Sequence, residues 1–355
     1  MAASTGTAIG ERTPLGEPAT FAGGVVELGE GAWAWLQPNG GLGESNAGLI
    51  VGEGESLLVD TLWDARLTRA MLDAMEPLSA GAGAPIGRLL NTHGDGDHWY
   101  GNGLLDPGVE IVASESAVAQ MSDEPPLMLT RLAPVGTVAG LASRLPLLPG
   151  RSSMRGLSRF GEALSRYEFG GLHPRVPGRS FAGSLELEVG GRLVEAIEVG
   201  PAHTAGDAIV WLADARVLYA GDIVFNGVTP IMWAGPVDNW IAALDRIAAI
   251  EPAAVLGGHG PPCGIEEVRT LRDYWSWLRE EVAAAGDEGP AELAERLIGS
   301  PGFRDAPWGA WASPERNLVN VARTAATLHG GRSSIGTRER VGLIAGMGAL
   351  AERLG

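Results

Sequence analysis

The sequence predicts an α/β protein in which short strands alternate with amphipathic helices. Four β-type runs, broken by Gly and Asn, predict a meander within residues 24 to 61: "GVVEL", "AWAWLQ", "NAGLIVG" and "SLLVDT". A helix is predicted near residues 65 to 76, because Leu67, Met71 and Met75 recur at every fourth position. The strand pattern "IGRLLNT" then runs directly into the loop "HGDGDH". This loop therefore follows the C-terminal end of a strand, where α/β folds often place their chemistry.

The second half of the chain repeats this alternation. Strands are predicted for "LELEVG", "RLVEAIEVG", "AIVWLA" and "VLYAGD". Asp238 is predicted to cap a helix that carries Ile241, Leu244 and Ile247 on one face. A short strand, "AAVLGGHG", and a long amphipathic helix over residues 268 to 282 follow.

Composition along the chain predicts one main domain with two additions. We expect a flexible N-terminus over residues 1–22, a main domain over 23–285 and a helical C-terminal extension over 286–355. Residues 117–180 interrupt the main domain with Pro, Gly and Arg-rich segments such as "LPLLPGRSSMRGLSRF". A long irregular stretch of this kind predicts a lid-like insertion.

Charge limits the possible partners. The chain of 355 residues has 26 basic and 43 acidic residues, a net charge of −17, and every basic residue is arginine. Such a surface repels phosphate backbones, so we expect a small-molecule substrate and no nucleic acid. The absence of lysine also excludes a Schiff-base or P-loop lysine.

Cysteine use and hydropathy indicate the compartment. Cys263 is the single cysteine, so no intrachain disulfide can form, as is typical of a reducing compartment. The first 24 residues lack the apolar segment of a signal peptide, and no stretch approaches 18 uninterrupted apolar residues. We therefore expect a cytoplasmic protein without a membrane partner.

Four of the six histidines lie at the ends of predicted strands, in segments rich in Gly and Asp. They are His93, His98, His203 and His259, and a further strand end, "LYAGD", closes with Asp222. Histidines and carboxylates from separate strand ends can converge in space. Imidazole and carboxylate together suit Zn, Fe and Mn, so this pattern predicts a divalent-metal site.

The order of these segments resembles the metallo-β-lactamase superfamily, whose motif H-x-H-x-D-H precedes a lone His, a bridging Asp and a final His. The resemblance covers about residues 25 to 265 and implies an αββα four-layer sandwich with a metal site at one edge of its two sheets. It also implies that Asp60, in "LLVDT", orients a ligating histidine. The metal ligands that it implies are His93, Asp95, Asp97, His98, His203, Asp222 and His259.

Asp95 departs from the family motif, because it stands where the second histidine is usual. Either Asp95 is a ligand and two metals bind, or the first site is impaired and one metal remains. We favour the ligand interpretation, since aspartate is a competent ligand and Gly94 and Gly96 let the backbone adapt. In that case His93, Asp95 and His203 form one site and Asp97, His98 and His259 the other, bridged by Asp222. Zinc is the first expectation, with iron or manganese as alternatives because of the added carboxylate.

These observations predict a dinuclear metal-dependent hydrolase. Metal-bound hydroxide would attack a small ester, thioester, lactone or amide, and Asp97 would orient it and pass a proton to the leaving group. One alternative is a diiron oxidoreductase or oxygenase on the same fold, suggested by Asp95 alone. A second is a metal-free binding protein, which would leave the whole ligand set without a role.

Further residues are expected to contact the substrate. Aromatic residues next to the ligand segments can line an apolar pocket, although core packing is the alternative: Trp99, Tyr100, Phe225 and Trp233. Basic residues of the predicted insertion can hold an acidic substrate, although a solvated loop is the alternative: His173, Arg175 and Arg179.

Overall fold

Two β-sheets pack face to face and carry helices on their outer faces, which confirms the predicted αββα sandwich. The computed structural model describes residues 12–13, 16–123, 141, 151–173, 175–328, 330–332 and 335–354. Most of the predicted flexible N-terminus and much of the predicted insertion thus lie outside the described residues.

The first sheet contains seven strands, which are hydrogen-bonded in chain order. They are β1 (Gly24–Gly29), β2 (Ala32–Leu36), β3 (Ala47–Val51), β4 (Ser56–Val59), β5 (Ile86–Leu90), β6 (Glu110–Ser114) and β7 (Arg179–Phe181). Strands β1 to β4 form the antiparallel meander, whereas β4 to β7 pair in parallel. The carboxyl ends of β4 and β5 therefore meet at one edge of the sheet, which brings Asp60 close to the "HGDGDH" loop.

The second sheet contains five strands in the order β12-β11-β10-β9-β8. They are β8 (Ser184–Val189), β9 (Arg192–Glu198), β10 (Ala208–Leu212), β11 (Val217–Phe225) and β12 (Ala254–His259). Strands β11 and β12 run parallel, and Phe225 is in register with His259. Asp222 in β11 and the last residue of β12 consequently share one edge of this sheet.

Nine α-helices lie within the described residues. They are α1 (Ala65–Met75), α2 (Glu115–Asp123), α3 (Arg151–Leu164), α4 (Val237–Ile250), α5 (Ile265–Ala284), α6 (Pro290–Gly299), α7 (Pro301–Arg304), α8 (Asn317–Leu328) and α9 (Thr337–Leu354). The structure confirms the helices predicted near 65 and 268. The predicted cap of α4 was wrong, because Pro236 holds the cap position and Asp238 lies in the first turn. None of the described helices combines the length and apolar character needed to cross a bilayer.

Three apolar layers stabilise the sandwich. Between the sheets, the side chains of Ile50, Val210 and Leu256 are buried. A second layer lies under α1, and a third joins the second sheet to α4, α5 and the C-terminal helices α6 and α8. Trp240 and Trp275 are both fully buried in this third layer. The C-terminal helices are thus packed on the sandwich through its largest core.

The predicted insertion, residues 117–180, begins inside α2 and ends inside β7, so both of its borders belong to the sandwich. Its described helix, α3, packs along the C-terminal helix α9. The two helices approach so closely that a Cβ added to Gly348 would lie 2.4 Å from the Cα of Gly156. Glycine at these two positions is therefore what permits the close approach.

Candidate metal centre

Asp60 fixes the orientation of two histidines at the carboxyl ends of β4 and β5. Its carboxylate accepts hydrogen bonds of 2.7 Å from both the backbone N–H and the hydroxyl of Thr92. It also lies 3.0 Å from Nδ1 of His98. Because the hydroxyl of Thr92 donates to Asp60, it accepts from Nδ1 of His93, which is 2.9 Å away. In their neutral form both imidazoles therefore carry their proton on Nδ1 and present the lone pair of Nε2.

His203 is held in the same tautomer from the other sheet. Its Nδ1 lies 2.6 Å from the carbonyl oxygen of Ile231, to which it donates. The loop that carries His203 is shaped by Asp207, whose carboxylate accepts from the backbone N–H groups of Ala202 and Thr204. His203 thus directs Nε2 toward Asp222, 3.3 Å from its Oδ2.

The carboxylate of Asp222 lies at the centre of the cluster. Its Oδ1 is 3.1 Å from Nε2 of His98, and its Oδ2 is 3.5 Å from Nε2 of His259. His93 is the most distant of the four histidines, with Nε2 3.9 Å from Oδ2. Four histidines from both sheets therefore converge on one buried carboxylate.

Two groups of three residues, one on each side of Asp222, can each hold a metal ion. Within each group the ligand atoms all lie within 4.8 Å of one another. The groups are His93, Asp95 and His203 on one side, and Asp97, His98 and His259 on the other. Asp60 forms a third group with His93 and His98, but its oxygens already accept from Thr92 and His98. The structure thus brings together all seven residues that the sequence suggests as ligands.

Unpaired polar atoms show that the cluster fits a cation. Among the described residues, no hydrogen bond of normal geometry is made by the buried Nε2 atoms of His93, His98 and His203, nor by Oδ1 of Asp222, although this oxygen is 3.1 Å from Nε2 of His98. A buried polar atom without a partner costs about 1–3 kcal/mol. A divalent ion accepts such lone pairs directly, so its binding would remove this cost.

The electrostatics of the cluster also favour a cation. Burial lowers the pKa of His203, but Asp222 and Asp95 outweigh it and raise this pKa to about 9. The pKa values of His98 and His259 are likewise raised against burial, chiefly by Asp222. Burial and the charge on His98 instead lower the pKa of His93 to about 3. The carboxylates thus favour positive charge on His98, His203 and His259, as they would favour a bound cation.

Asp95 has further partners that the sequence does not reveal. Nη2 of Arg340 lies 2.9 Å from each carboxylate oxygen, and Nε2 of Gln120 donates to Oδ1 at 3.1 Å. The guanidinium of Arg340 also lies 4.5 Å from the ring centre of Trp233. Although burial raises the pKa of Asp95, Arg340 and His203 hold it well below its ordinary value. Asp95 is therefore a carboxylate with its own counter-charge.

A cavity of about 320 Å³ opens above this cluster. Asp95, Asp97, His203, Asp222 and His259 line it, together with residues of helices α3 and α9. Of the aromatic residues predicted for the pocket, Tyr100, Phe225 and Trp233 line the cavity. Trp99 does not, because it is buried in the core under α1 and donates to the carbonyl of Gly94.

The basic residues predicted to hold the substrate lie outside this cavity. Arg175 donates to the backbone carbonyls of Asp106, Pro107 and Val109, and so braces the turn before β6. Arg179 is part of β7 and pairs with Glu110, while His173 is exposed to solvent. The arginines that line the cavity are instead Arg159, from α3, and Arg316 and Arg340, from the C-terminal segment. No motif in the sequence indicates any of the three.

Comparisons with known proteins give a family match and several relatives. The metallo-beta-lactamase superfamily matches residues 40–259. A linear primary-alkylsulfatase from Pseudomonas sp. is 26% identical over 268 residues, which are 68% of this chain and 47% of the relative. A beta-lactamase-like protein 2 homolog from Caenorhabditis elegans is 22% identical over 141 residues, 39% of this chain and 46% of the relative. The chain spans about half the length of these curated relatives.

Solved structures show the same fold. An inverting sec-alkylsulfatase from Pseudomonas sp. superposes with a TM-score of 0.61 and 18% identity, over 85% of this chain and 50% of the other. A metallo-beta-lactamase family protein from Thermus thermophilus gives a TM-score of 0.53 and 22% identity, over 84% and 96% of the two chains. Because the family match covers more than half of the sequence and includes the strand ends that carry the cluster, the chain belongs to the metallo-beta-lactamase superfamily.

Proposed function

We propose that this protein is a metal-dependent hydrolase that cleaves a small ester with the help of two divalent ions. The observation that carries the proposal is the pair of His/Asp groups on either side of Asp222, facing one cavity. Asp222 lies within 3.3 Å of a histidine from each group, so one carboxylate can serve both ions. We propose zinc as the resident ion, since four of the seven ligand side chains are imidazoles.

The chemistry divides between the ions and the chain. Bound divalent ions lower the pKa of water and polarise the bond to be cleaved. Asp97 lines the cavity, and its Oδ2 lies 3.4 Å from Nε2 of His259. Burial raises the pKa of Asp97, but His98 and His259 outweigh it, so the pKa lies below its ordinary value. The resulting carboxylate orients the attacking water, accepts its proton and delivers it to the leaving alcohol.

The shape of the cavity supports an organic ester as substrate. Its lining includes apolar side chains that can contact an alkyl or aryl group: Leu42, Trp63, Phe160, Ile344 and Met347. The two alkylsulfatases among the similar proteins are named for the cleavage of alkyl sulfate esters, and this supports sulfate esters as candidates beside carboxylic esters. Thioesters, lactones and amides need the same metal-assisted attack and form the rest of the proposed range.

A diiron oxidoreductase is the second candidate. The observation that favours it is the third carboxylate, Asp95, since oxygen ligands suit iron and manganese better than imidazole does. The contact between Asp95 and Arg340 weakens this argument, because the added negative charge is already balanced within the protein. A metal-free binding protein is disfavoured, because it would leave the buried Nε2 atoms without partners.

Hydrolysis after metal exchange tests the proposal. The protein is stripped with a chelator, reloaded separately with zinc, manganese or iron, and offered a carboxylic ester, a thioester, a lactone, an amide and an alkyl sulfate. We expect zinc to restore hydrolysis of at least one ester, and Asp97→Asn to lower kcat by about 100-fold or more. Hydrolysis that survives complete metal removal would contradict the proposal. Turnover that requires iron and oxygen would instead establish the oxidoreductase.

A further inference from the structure

Arg316 is a buried cation at the wall of the cavity. It ends the turn Pro314–Arg316 that leads into α8, and only 7% of its surface is exposed. It lines the same cavity as Asp222 and His259. Its guanidinium lies 5.8 Å from the ring centre of Phe225, and this ring stacks on the imidazole of His259 at 5.1 Å. Arg316 therefore lies next to the metal centre, although it comes from the C-terminal extension.

The guanidinium of Arg316 is incompletely paired. Its Nη1 donates to the carbonyl of Thr229 at 2.9 Å. Over the part of the chain that the structure describes, no carboxylate forms an ion pair with it and no other acceptor is present. Arginine has five N–H donors, so several of them have no protein partner among the described residues, in a side chain that lines the cavity.

Arg323 is a comparable buried arginine that shows the usual arrangement. It is 2% exposed, pairs with Glu339 at 3.4 Å and donates to the carbonyls of Ala234 and Arg332. A buried charge normally requires such partners, because desolvation costs several kcal/mol per ion. Among the described residues, Arg316 lacks the carboxylate that Arg323 has. Its pKa is lowered by burial, while Glu315 and Asp222 act against this.

We infer that Arg316 binds an anionic group of the substrate, so that the substrates of this enzyme are monoanionic esters with an apolar chain. The inference rests on the proposed hydrolase function and narrows its substrate class. The oxyanion pairs with those N–H groups of Arg316 that do not bind Thr229, and the apolar chain lies against Phe160, Ile344 and Met347. Hemiesters of dicarboxylic acids and alkyl sulfates share this chemistry. In a hemiester, water attacks the acyl carbon of the ester, and the alcohol and the dicarboxylic acid are released. In an alkyl sulfate, water attacks the sulfur or the alkyl carbon, and the alcohol and hydrogen sulfate are released.

A structural role for Arg316 is the competing explanation. The positive charge of Arg316 interacts with the carboxylates of Asp97 and Asp222, so Arg316 could act only by neutralising their negative charge. This role predicts that substitution of Arg316 lowers the stability or the metal content, and that any loss of activity is the same for anionic and neutral substrates. An anion receptor predicts a loss that is confined to anionic ligands.

Matched substrates separate the two explanations. Monobutyl succinate is compared with butyl 4-methylpentanoate, in which an isopropyl group replaces the carboxylate, and with butyl sulfate. For the zinc-loaded protein we expect kcat/KM to favour monobutyl succinate, butyl sulfate or both over the neutral ester. We expect Arg316→Gln to raise KM for the favoured anionic ester by about tenfold or more and to leave the neutral ester within about twofold. Arg246→Gln, which makes the same charge change at an exposed residue outside the cavity, is the control.

Binding without turnover supplies the second measurement. Octanoate, an apolar chain with one carboxylate, is titrated calorimetrically into the metal-free and the zinc-loaded protein. We expect Arg316→Gln to weaken octanoate binding by about tenfold or more in both forms, and Arg316→Lys to retain part of the affinity. Metal content and the melting temperature of each variant show whether its fold and its cluster are intact.

The outcomes distinguish failure of this inference from failure of the proposed function. If the wild type hydrolyses esters but Arg316→Gln leaves the preference for anions unchanged, the inference is overturned and the hydrolase stands. Octanoate binding that requires zinc and is indifferent to Arg316→Gln would also overturn it, since the anion would then bind the metal. If no ester is hydrolysed but octanoate binding still depends on Arg316, the anion receptor stands and the hydrolase fails.

Discussion

Arg340 of the C-terminal helix α9 places one nitrogen 2.9 Å from both carboxylate oxygens of Asp95, 245 residues earlier in the chain. Asp95 is the residue that departs from the histidine usual in the superfamily motif. Its pairing with Arg340 neutralises the extra negative charge, so that this side of the cluster has a net charge similar to that of a neutral imidazole. The C-terminal extension is thus part of the candidate metal centre.

Substituting Arg340 tests this coupling. Arg340→Gln removes the ion pair of Asp95 with Arg340. The contacts of Asp95 with His203, at 3.2 Å, and with Gln120, at 3.1 Å, remain. We expect the metal-free protein to lose about 1–3 kcal/mol of unfolding free energy. The zinc-loaded protein should lose less, because the ion itself compensates Asp95, and zinc should accordingly bind Arg340→Gln more tightly than the wild type.

Urea unfolding with and without zinc measures both quantities. Arg279→Gln is a matched control, since Arg279 pairs with Asp238 at 2.7 Å on the surface, where both side chains are about half exposed. Arg279→Gln should change the unfolding free energy by at most about 1 kcal/mol, by the same amount with and without zinc. Equal destabilisation of Arg340→Gln in both forms would separate Arg340 from the metal centre.

Metal binding should release protons. His203 has a pKa of about 9 in the metal-free protein, so it is protonated at pH 7, whereas a metal ligand must present the neutral imidazole. His98 and His259 also have raised pKa values. The affinity for zinc should therefore increase as the pH rises toward about 9 and level off above that value. Calorimetry at pH 7 in buffers of different ionisation enthalpy should show net proton release, and identical heats in all buffers would refute the assignment.

The close packing of α3 and α9 should control access to the cavity. Gly348→Ala would place a Cβ 2.4 Å from Gly156 on the facing helix, so the helices must separate. We expect Gly348→Ala to lose about 1–3 kcal/mol of unfolding free energy and to have a higher KM, with unchanged metal content. Gly342 lies in the same helix with open space around it, and Gly342→Ala should stabilise the protein by about 0.5–1 kcal/mol. Similar kinetic effects of the two variants would exclude helix packing as the cause.

We expect His259 to contribute a ligand atom and little to the stability of the fold. It is the last residue of β12, and its Nε2 lies 3.4 Å from Asp97. We expect His259→Ala to keep the wild-type circular dichroism spectrum but to lose metal and hydrolysis. Wild-type metal content in this variant would remove His259 from the ligand set.

The sequence predicts the elements of the sandwich where the local pattern is strong. The meander follows from β-type runs broken by Gly and Asn, and α1 and α5 follow from a period of 3.6 residues. The ligand segments follow from a motif at strand ends. The sequence does not predict β7, because Pro and Gly surround its three residues. The N-cap of α4 was misplaced because Asp238 is a good cap residue, whereas Pro236 makes no side-chain cap bond.

The arginines around the cavity could not be predicted from the sequence. Arg316 and Arg340 reach the cavity only because the C-terminal helices pack on the sandwich, and no spacing rule links them to the histidine motif. Arg175 has the same chemistry and lies in the predicted insertion, yet it braces a turn. Tertiary packing, rather than residue type, decides which cations face the site.

Two divalent ions should bind to this protein, one on either side of Asp222, and the number of ions bound per chain can be measured. Chelator-treated protein is dialysed to saturation against zinc, manganese and iron in turn, and bound metal and protein are quantified by elemental analysis. We predict two ions per chain, with Asp222→Ala reducing the number. One ion per chain in the unmodified protein with all three metals would contradict the two-ion mechanism and leave one group of ligands as the whole of the site.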